Sequence, residues 1–219
     1  MRPEHVRVEA EGLTLHGLLR RPPEARALVL FAHGSGSGRR SPRNNFVAEQ
    51  LGGHGLGTLL FDLLTEEEEA IDAATAELRF DIPLLTRRLV LATRWARGEA
   101  RLRELELGYF GASTGAAAAL AAAAEIPEVA AVVSRGGRPD LAGAALPEVR
   151  AATLLIVGGE DHQVLALNRA AQAQMRCESE LTVVAGATHL FEEPGALEQV
   201  AALAAAWFVR HLQPSGADA

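Results

Sequence analysis

The chain has 219 residues, of which 48% are hydrophobic, with a formal net charge of -7 at pH 7 and a single cysteine. This composition fits one globular domain with a full-sized core. The negative charge argues against general binding to nucleic acid or to an anionic membrane surface. A lone cysteine excludes an intrachain disulfide. The N-terminal sequence MRPEHVRVEA has no apolar segment typical of a secretory signal, so we expect a cytoplasmic protein.

Short apolar runs alternate with segments of helical character along the chain. Strands are predicted at residues 13–19, 27–32, 57–63, 106–110, 129–134, 153–158 and 181–185. Helices are predicted at residues 44–53, 83–97, 113–124, 164–175 and 195–212. The alternation indicates an α/β fold with a mainly parallel sheet. The first two strands are too close in sequence for a helix between them, so we expect them to form an antiparallel hairpin.

Three segments stand outside this alternation. Residues 65–82 are charged and follow a strand, and we expect a surface loop or a short helix there. Residues 135–149 are rich in glycine and proline and also follow a strand. Residues 214–219, with the sequence PSGADA, are expected to be a disordered tail, so the predicted single domain covers residues 1–213.

The sequence GYFGASTGAAAAL carries the strongest functional signal. It predicts a strand, then Gly111-Ala112-Ser113-Thr114-Gly115, then a helix, and in this setting a G-x-S-x-G sequence marks a nucleophilic serine. The glycines leave room for a turn so sharp that the serine takes an unfavourable backbone conformation. Its hydroxyl then stands at the N-terminus of the helix, whose dipole favours developing negative charge.

A serine hydroxyl needs a base to become a nucleophile. Three histidines follow the serine in the chain: His162, His189 and His211. We favour His189, because the stretch GATHLF lies between a predicted strand and the last helix, where a mobile base can be held. The acid is expected after the preceding strand, in VGGEDHQV, where we favour Asp161 over Glu160. The order Ser113, Asp161, His189 is the order found in hydrolases with this strand–turn–helix motif.

These stretches resemble the α/β-hydrolase superfamily and, within it, the dienelactone hydrolase-like group. The matching sequences are FAHGSGSG, GYFGASTG, VGGEDHQV and GATHLF, and the resemblance extends over nearly the whole chain. It implies an α/β-hydrolase fold with a mainly parallel central sheet of about eight strands, helices on both faces and no large cap domain. Dienelactone hydrolases proper carry a cysteine at the sharp turn, whereas this chain has Ser113. The resemblance therefore implies a serine esterase or a related acyl hydrolase.

The glycine-rich stretch HGSGSGRRSPRN admits two interpretations. A nucleotide-binding loop would read G-x-G-x-x-G with an acidic residue at the end of the next strand. Asp62 supplies that acid, but the glycines are spaced G-x-G-x-G. In a hydrolase the corresponding loop supplies one backbone N–H of the oxyanion hole, which we assign to Ser35, and Thr114 supplies the other.

Arginines cluster near this loop and after a later predicted strand. We treat Arg39, Arg40, Arg43 and Arg135 as candidate substrate-binding residues. One interpretation is that they are solvated surface charges. The other is that they line the mouth of the site and bind an anionic substrate, such as an ester that bears a carboxylate.

Together these residues predict a serine hydrolase that cleaves an ester or related acyl bond of a small molecule through an acyl-enzyme. This chemistry needs no cofactor, and no histidines or carboxylates show the spacing of metal ligands. The other interpretations are acyl transfer to an alcohol or amine on the same fold, a non-catalytic binding protein, and a nucleotide-binding α/β protein. The sequence does not distinguish a monomer from a homodimer.

Overall fold

An eight-stranded sheet forms the centre of the computed structural model, which describes residues 2–212. The strands are β1 (Glu4–Ala10), β2 (Leu13–Arg20), β3 (Ala27–Ala32), β4 (Gly57–Phe61), β5 (Glu106–Ala112), β6 (Val129–Arg135), β7 (Ala152–Gly158) and β8 (Ser179–Val184). Their order in the sheet is β1-β2-β4-β3-β5-β6-β7-β8. The β1–β2 and β2–β4 pairs are antiparallel and the other neighbouring strands are parallel. The predicted fold class is therefore confirmed.

Helices cover both faces of this sheet. The α-helices of the described residues are α1 (Pro42–Gly53), α2 (Glu66–Thr75), α3 (Ile82–Gly98), α4 (Thr114–Glu125), α5 (His162–Gln172) and α6 (Ala196–His211). Helices α1 and α6 pack on one face, while α3 and α4 pack on the other. None of these helices is both long enough and apolar enough to cross a membrane.

The central strands are apolar because both of their faces are covered. Every residue of β3, with the sequence ALVLFA, is buried, and alternate side chains enter opposite core clusters. Helix α4 is almost entirely buried, and its run of alanines lets it lie close to the sheet. This close packing fixes the position of Ser113, which joins β5 to α4.

The predicted antiparallel hairpin between the first two strands is wrong. β2 pairs with β1 on one side and with β4 on the other, so β3 lies beyond β4. The turn between β1 and β2 has positive φ at both Glu11 and Gly12, which matches the twist of a two-residue hairpin. The sequence pattern does not predict β1, because only Val6 and Val8 of this strand face the core.

The segment at residues 65–82 contains the short helix α2, followed by a 3₁₀ turn at Leu78–Phe80. Residues 139–148 form a second 3₁₀ segment. Within residues 2–212 no larger insertion covers the carboxyl ends of the parallel strands, as the resemblance implies. The predicted domain boundary at residue 213 and the tail at residues 214–219 lie outside the described residues.

Candidate active site

Ser113 occupies a strained turn between β5 and α4. Its φ is 51° and its ψ is -121°, a conformation that a residue other than glycine rarely adopts. The flanking glycines have no room for a side chain. A Cβ at Gly115 would lie 2.1 Å from the carbonyl oxygen of Ala32, and one at Gly111 would lie 2.4 Å from the Cα of Ala116. The sharp turn expected from the G-x-S-x-G sequence is therefore present.

The acid and the histidine are in direct contact. The Nδ1 atom of His189, in the loop after β8, lies 2.6 Å from the Oδ2 atom of Asp161, which follows β7. The two loops are tied together by a hydrogen bond from the N–H of Glu160 to the carbonyl oxygen of Ala187 (3.0 Å). The carboxylate of Glu160 is exposed and lies 4.0 Å from His162. The geometry thus joins His189 to Asp161 and leaves Glu160 at the surface.

Ser113 and His189 share a short segment after β6 as their common neighbour. The N–H of Ser113 donates to the carbonyl oxygen of Arg135 (3.3 Å). A Cβ at Gly136, the next residue, would lie 3.1 Å from the carbonyl oxygen of His189 and 3.6 Å from its Nδ1 atom. Within residues 2–212 the hydroxyl of Ser113 makes no hydrogen bond. Hydrogen bonds between catalytic groups are often long before the substrate binds.

The two predicted oxyanion donors lie next to the turn at Ser113 and line the same cavity. Gly34, which precedes Ser35, packs against the turn so closely that a Cβ there would lie 3.1 Å from the Cβ of Ser113. Thr114 is the first residue of α4. Neither the Ser35 nor the Thr114 backbone N–H donates a hydrogen bond within the described chain, so both are free to bind an oxygen.

Two side chains hold the glycine-rich loop in place. The Nδ1–H of His33 donates to the carbonyl oxygen of Gly34 (3.0 Å), and its Nε2 accepts the N–H of Leu63 (3.0 Å). Burial lowers the pKa of His33, which keeps the ring neutral. Asp62 accepts the N–H of Arg39 (2.7 Å) and also its guanidinium. The carboxylate that a nucleotide-binding fold would use for a ribose hydroxyl is therefore already engaged.

The four candidate arginines have different surroundings. Arg39 is paired with Asp62, and Arg40 is exposed. The Nη1 atom of Arg43 lies 3.3 Å from the carboxylate of Glu192, three residues after His189. Arg135 is only 8% exposed, and its Nε and Nη1 atoms have no hydrogen-bond partner among residues 2–212. Burial, and then the nearby charge of Arg43, lowers the pKa of Arg135 to about 10, so the side chain stays positively charged at neutral pH.

Ser113 divides the carboxyl edge of the sheet into two sides. The cavity side contains the ends of β3 and β4 with α2 and the start of α3, which enclose about 330 Å³ next to Ser35 and Thr114. A wider groove of about 650 Å³ runs along the glycine-rich loop from Ser35 to Arg43. The histidine side contains the ends of β6, β7 and β8. Its site residues are Arg135, Asp161 and His189.

Sequence reasoning does not find the outer wall of the cavity. Asp72, Arg79 and Glu69 line it, although the charge of their segment indicates a solvated surface. The only sequence signal is the capping box formed by Thr65 and Glu68, which predicts a helix start but no contact with a site.

Among residues 2–212, no three His, Cys, Asp or Glu side chains are grouped so that they could hold a metal ion. Burial raises the pKa of the Cys177 thiol, whereas an activated cysteine requires a lowered pKa. Cys177 packs next to Thr153, far along the chain from the turn at Ser113.

Comparison with known proteins places the chain in a family. The model described as "Dienelactone hydrolase family" matches residues 15–212. The chain belongs to the dienelactone hydrolase family. A crystal structure of a dienelactone hydrolase from Anabaena variabilis is 56% identical, with a TM-score of 0.95 over 97% of this chain and 100% of that chain. The esterase domain of a Rhodothermus marinus protein is 20% identical, with a TM-score of 0.76 over 97% of this chain and 100% of its own, and shows the shared fold alone.

Curated relatives of this family member are longer than the chain. Two Mycobacterium tuberculosis proteins, from different strains, carry the name "Putative phosphoribosyl transferase" and are 56% identical over 220 residues. The match covers 99% of this chain but 49% of those proteins, so the chain spans about half the length of the curated relatives it matches. The family and its hydrolase fold are thus shown, and the resemblance expected from the sequence is confirmed at that level.

Proposed function

We propose that this dienelactone hydrolase family member is a serine hydrolase that cleaves an ester bond of a small molecule. The observation that carries the proposal is the 2.6 Å contact between His189 Nδ1 and Asp161 Oδ2 at the sheet edge that holds the strained Ser113. A histidine oriented by a carboxylate, together with a serine on a sharp strand–helix turn, is the arrangement that activates a serine hydroxyl.

The first half of the reaction forms an acyl-enzyme. The Oγ atom of Ser113 attacks the carbonyl carbon, and its proton passes to the Nε2 atom of His189. Asp161 accepts the Nδ1–H of His189, which fixes the tautomer and stabilises the imidazolium. The N–H groups of Ser35 and Thr114 bind the oxyanion, and loss of one such donor typically raises the barrier by about 3–4 kcal/mol. The imidazolium then protonates the leaving alcohol as its C–O bond breaks.

The second half returns the free enzyme. Water enters after the alcohol leaves, and His189 removes a proton from it as its oxygen attacks the acyl carbon. The tetrahedral oxyanion again binds to the two N–H groups. When it collapses, His189 gives its proton to the Oγ atom of Ser113, and the carboxylic acid is released. No cofactor takes part in these steps.

Active-site labelling tests the proposal. A fluorophosphonate probe should label the wild-type chain and not Ser113→Ala, because the probe reacts only with an activated serine. Ser179→Ala is the matched control, since Ser179 lies at the start of β8 and should leave labelling unchanged. A folded wild-type protein that takes no label at Ser113 would contradict the mechanism.

Acyl transfer is the alternative activity that the same catalytic residues could perform. The acyl-enzyme would then pass its acyl group to an alcohol or amine in place of water. The ratio of transfer product to acid, measured with increasing concentrations of an added alcohol, separates the two activities. Hydrolysis predicts that the acid remains the main product. The name of the mycobacterial relatives belongs to proteins about twice as long as this chain.

The substrate in this proposal is an ester whose alcohol portion carries a carboxylate. Arg135 supports this, because a buried guanidinium without an ion-pair partner is costly and the charge of a carboxylate would offset that cost. Arg43 contributes a second positive charge close by. Arg135 belongs to the histidine side, and Arg43 contacts Glu192 in the segment that follows His189. The leaving alcohol must lie on this side to receive a proton from His189.

Matched esters test the charge preference. We expect 4-acetoxybenzoate to have a higher kcat/KM than the neutral 4-acetoxybenzamide. In Arg135→Met that ratio should fall by about 10- to 100-fold, since a hydrogen bond to a charged group contributes about 1.5–3 kcal/mol. Arg43→Met should lower it less, because Glu192 already screens Arg43. Arg94→Met, an exposed charge on α3, is the control and should leave it unchanged. Equal wild-type rates for both esters would exclude the anionic substrate and leave ester hydrolysis standing.

A further inference from the structure

The cavity side offers a second place for part of a substrate. Its inner wall includes Ser35 and Thr114, so it opens next to the atoms that would hold the carbonyl oxygen. The buried side chains of Leu63, Leu64 and Leu85 form the apolar part of the remaining wall, and its polar part includes His33, whose ring is held by two hydrogen bonds. A concave space that combines apolar side chains with polar groups in fixed positions is typical of a small-molecule site.

Negative groups predominate in this wall, because three carboxylates line it together with the single guanidinium of Arg79. Asp62 is paired with Arg39, and Asp72 is paired with Arg79. The carboxylate of Glu69 has no ion-pair partner in the described part of the chain, and its negative charge repels an anionic group. The cavity therefore favours a neutral group, in contrast to the surroundings of Arg135.

Helix α2 closes the cavity from outside and is held at both ends. At its N-terminus, the Thr65 hydroxyl accepts the N–H of Glu68 (3.2 Å), and the Glu68 carboxylate accepts the N–H of Thr65 (2.8 Å). Arg88 of α3 binds the same Glu68 carboxylate. Near its C-terminus, Asp72 accepts both the N–H (3.0 Å) and the Nε–H (2.6 Å) of Arg79. Because these contacts hold helix α2 in one position, the cavity has a defined depth.

The direction of the substrate follows from the proton transfer. The leaving oxygen must lie within hydrogen-bond reach of His189, so the alcohol portion extends toward the histidine side. The acyl portion, on the other side of the carbonyl carbon, then points away from His189. In the order β4-β3-β5-β6, the cavity lies on that other side of Ser113.

We infer that the cavity binds the acyl group of the substrate, that this group is neutral and apolar, and that α2 limits its length. The inference rests on the proposed ester hydrolysis. Ala73 of α2 lines the cavity, whereas its neighbour Ala74 does not, so a larger side chain at position 73 should shorten the space for the acyl group. Both alanines are exposed, so a larger side chain at either position leaves the core intact.

An acyl-chain series tests the inference. With 4-nitrophenyl esters from acetate to decanoate, kcat/KM should rise about fourfold per methylene until the cavity is full, and then fall. In Ala73→Phe the optimum should move to shorter chains, and the ratio of hexanoate to acetate should drop by about 10- to 100-fold. Ala74→Phe should keep the wild-type profile. Identical profiles for the two variants would overturn the inference.

An alcohol series tests the direction. Alkyl acetates of increasing alcohol length should respond equally in wild type, Ala73→Phe and Ala74→Phe, because the alcohol lies on the histidine side. A response to Ala73→Phe in this series, and none in the acyl series, would overturn the assignment of the cavity to the acyl group.

A binding measurement separates this inference from the catalytic proposal. Hexanamide should raise the melting temperature of Ser113→Ala more than acetamide does, since more apolar surface is buried. The difference should disappear in Ser113→Ala/Ala73→Phe and persist in Ser113→Ala/Ala74→Phe. Failure of labelling at Ser113 would remove the hydrolase mechanism without affecting this result. Equal stabilisation by both amides in Ser113→Ala would remove the cavity as an apolar site.

Discussion

The charged side chains on the two sides of Ser113 differ in whether they have ion-pair partners. On the cavity side, Asp62 and Asp72 each bind an arginine. On the histidine side, Arg135 is buried beside Ser113 with two nitrogens unpaired. Folding alone favours paired charges, because a buried charge without a partner is costly. The difference teaches that the unpaired arginine is the better guide to a ligand, whereas the paired groups hold loops and helix α2 in place.

Removal of the triad acid should have the largest effect. Asp161→Asn keeps the shape of the side chain but favours the wrong tautomer of His189, so kcat should fall by about 10⁴-fold for neutral and carboxylated esters alike. Glu160→Gln, at the exposed neighbour, is the control and should stay within about twofold of wild type. Equal, small losses in both variants would show that the histidine side contains no working triad.

A substitution next to Ser113 should lower kcat/KM equally for esters that differ in their acyl group and for esters that differ in their alcohol. In Gly34→Ala the added methyl group would lie 3.1 Å from the Cβ of Ser113 and 3.2 Å from the carbonyl oxygen of Ala112, so the turn must shift. We expect kcat/KM to fall by about 10²-fold for every ester, because small displacements of catalytic groups are costly. Gly52→Ala in α1, where no atom lies within 4 Å of the new Cβ, is the control. A loss confined to long acyl chains would instead place the effect in the cavity.

The neutral character of the cavity side depends partly on His33. Burial lowers its pKa in the folded chain, so as the pH falls past the unfolded value of about 6.5 the unfolded chain takes up the proton before the folded chain does. Stability should therefore fall as pH decreases through that value. In His33→Gln the unfolding free energy at about pH 7.5 should drop by about 1–3 kcal/mol, because the single amide of Gln does not reproduce both ring hydrogen bonds, to the Gly34 carbonyl oxygen and from the Leu63 N–H.

Urea unfolding at several pH values measures this effect. The dependence of stability on pH between about 7.5 and 5.5 should be shallower in His33→Gln than in wild type. The exposed His54 supplies the control, and His54→Gln should keep the wild-type dependence. An unchanged slope in His33→Gln would mean that His33 is protonated as easily in the folded as in the unfolded chain.

The smallest expected effect is the coupling between a substitution on the histidine side and a substitution on the cavity side. Arg135 and Ala73 belong to different elements with Ser113 between them. The effects of Arg135→Met and Ala73→Phe on kcat/KM should therefore multiply in the double variant to within about twofold. A double-variant cycle on hexanoyl esters of 4-hydroxybenzoate measures the coupling. A larger deviation would show that both substitutions act on one shared subsite.

Local sequence information predicts the sharp turn and the parallel strands. The turn at Ser113 needs glycines at fixed positions, and buried strands need continuous apolar runs, so both leave a signal in a few adjacent residues. The contact between Asp161 and His189 follows from the same reasoning, because each residue comes directly after a predicted strand. The role of Ser113 as nucleophile stays a prediction that labelling must test.

The sequence does not predict which residues that are distant along the chain form ion pairs or pair as strands. The partner of Arg39 is 23 residues away and that of Arg43 is 149 residues away, so the pattern cannot show which arginine is left unpaired. The same limit explains the error in the first hairpin. Proximity in sequence suggested pairing of β2 with β3, whereas the two positive φ values at Glu11 and Gly12 direct β2 to β1.

The contacts of Asp62 with Arg39 have a consequence for the speed of the proposed reaction. They hold the end of the glycine-rich loop in one conformation in the free protein, and His33 holds its beginning. The conformational entropy of this loop is therefore lost once, when the chain folds, and not again with each substrate. Donors that are already in place need no reorganisation as negative charge develops. In the proposed reaction, the same contacts that engage the carboxylate of Asp62 therefore keep the N–H of Ser35 in position before an ester binds.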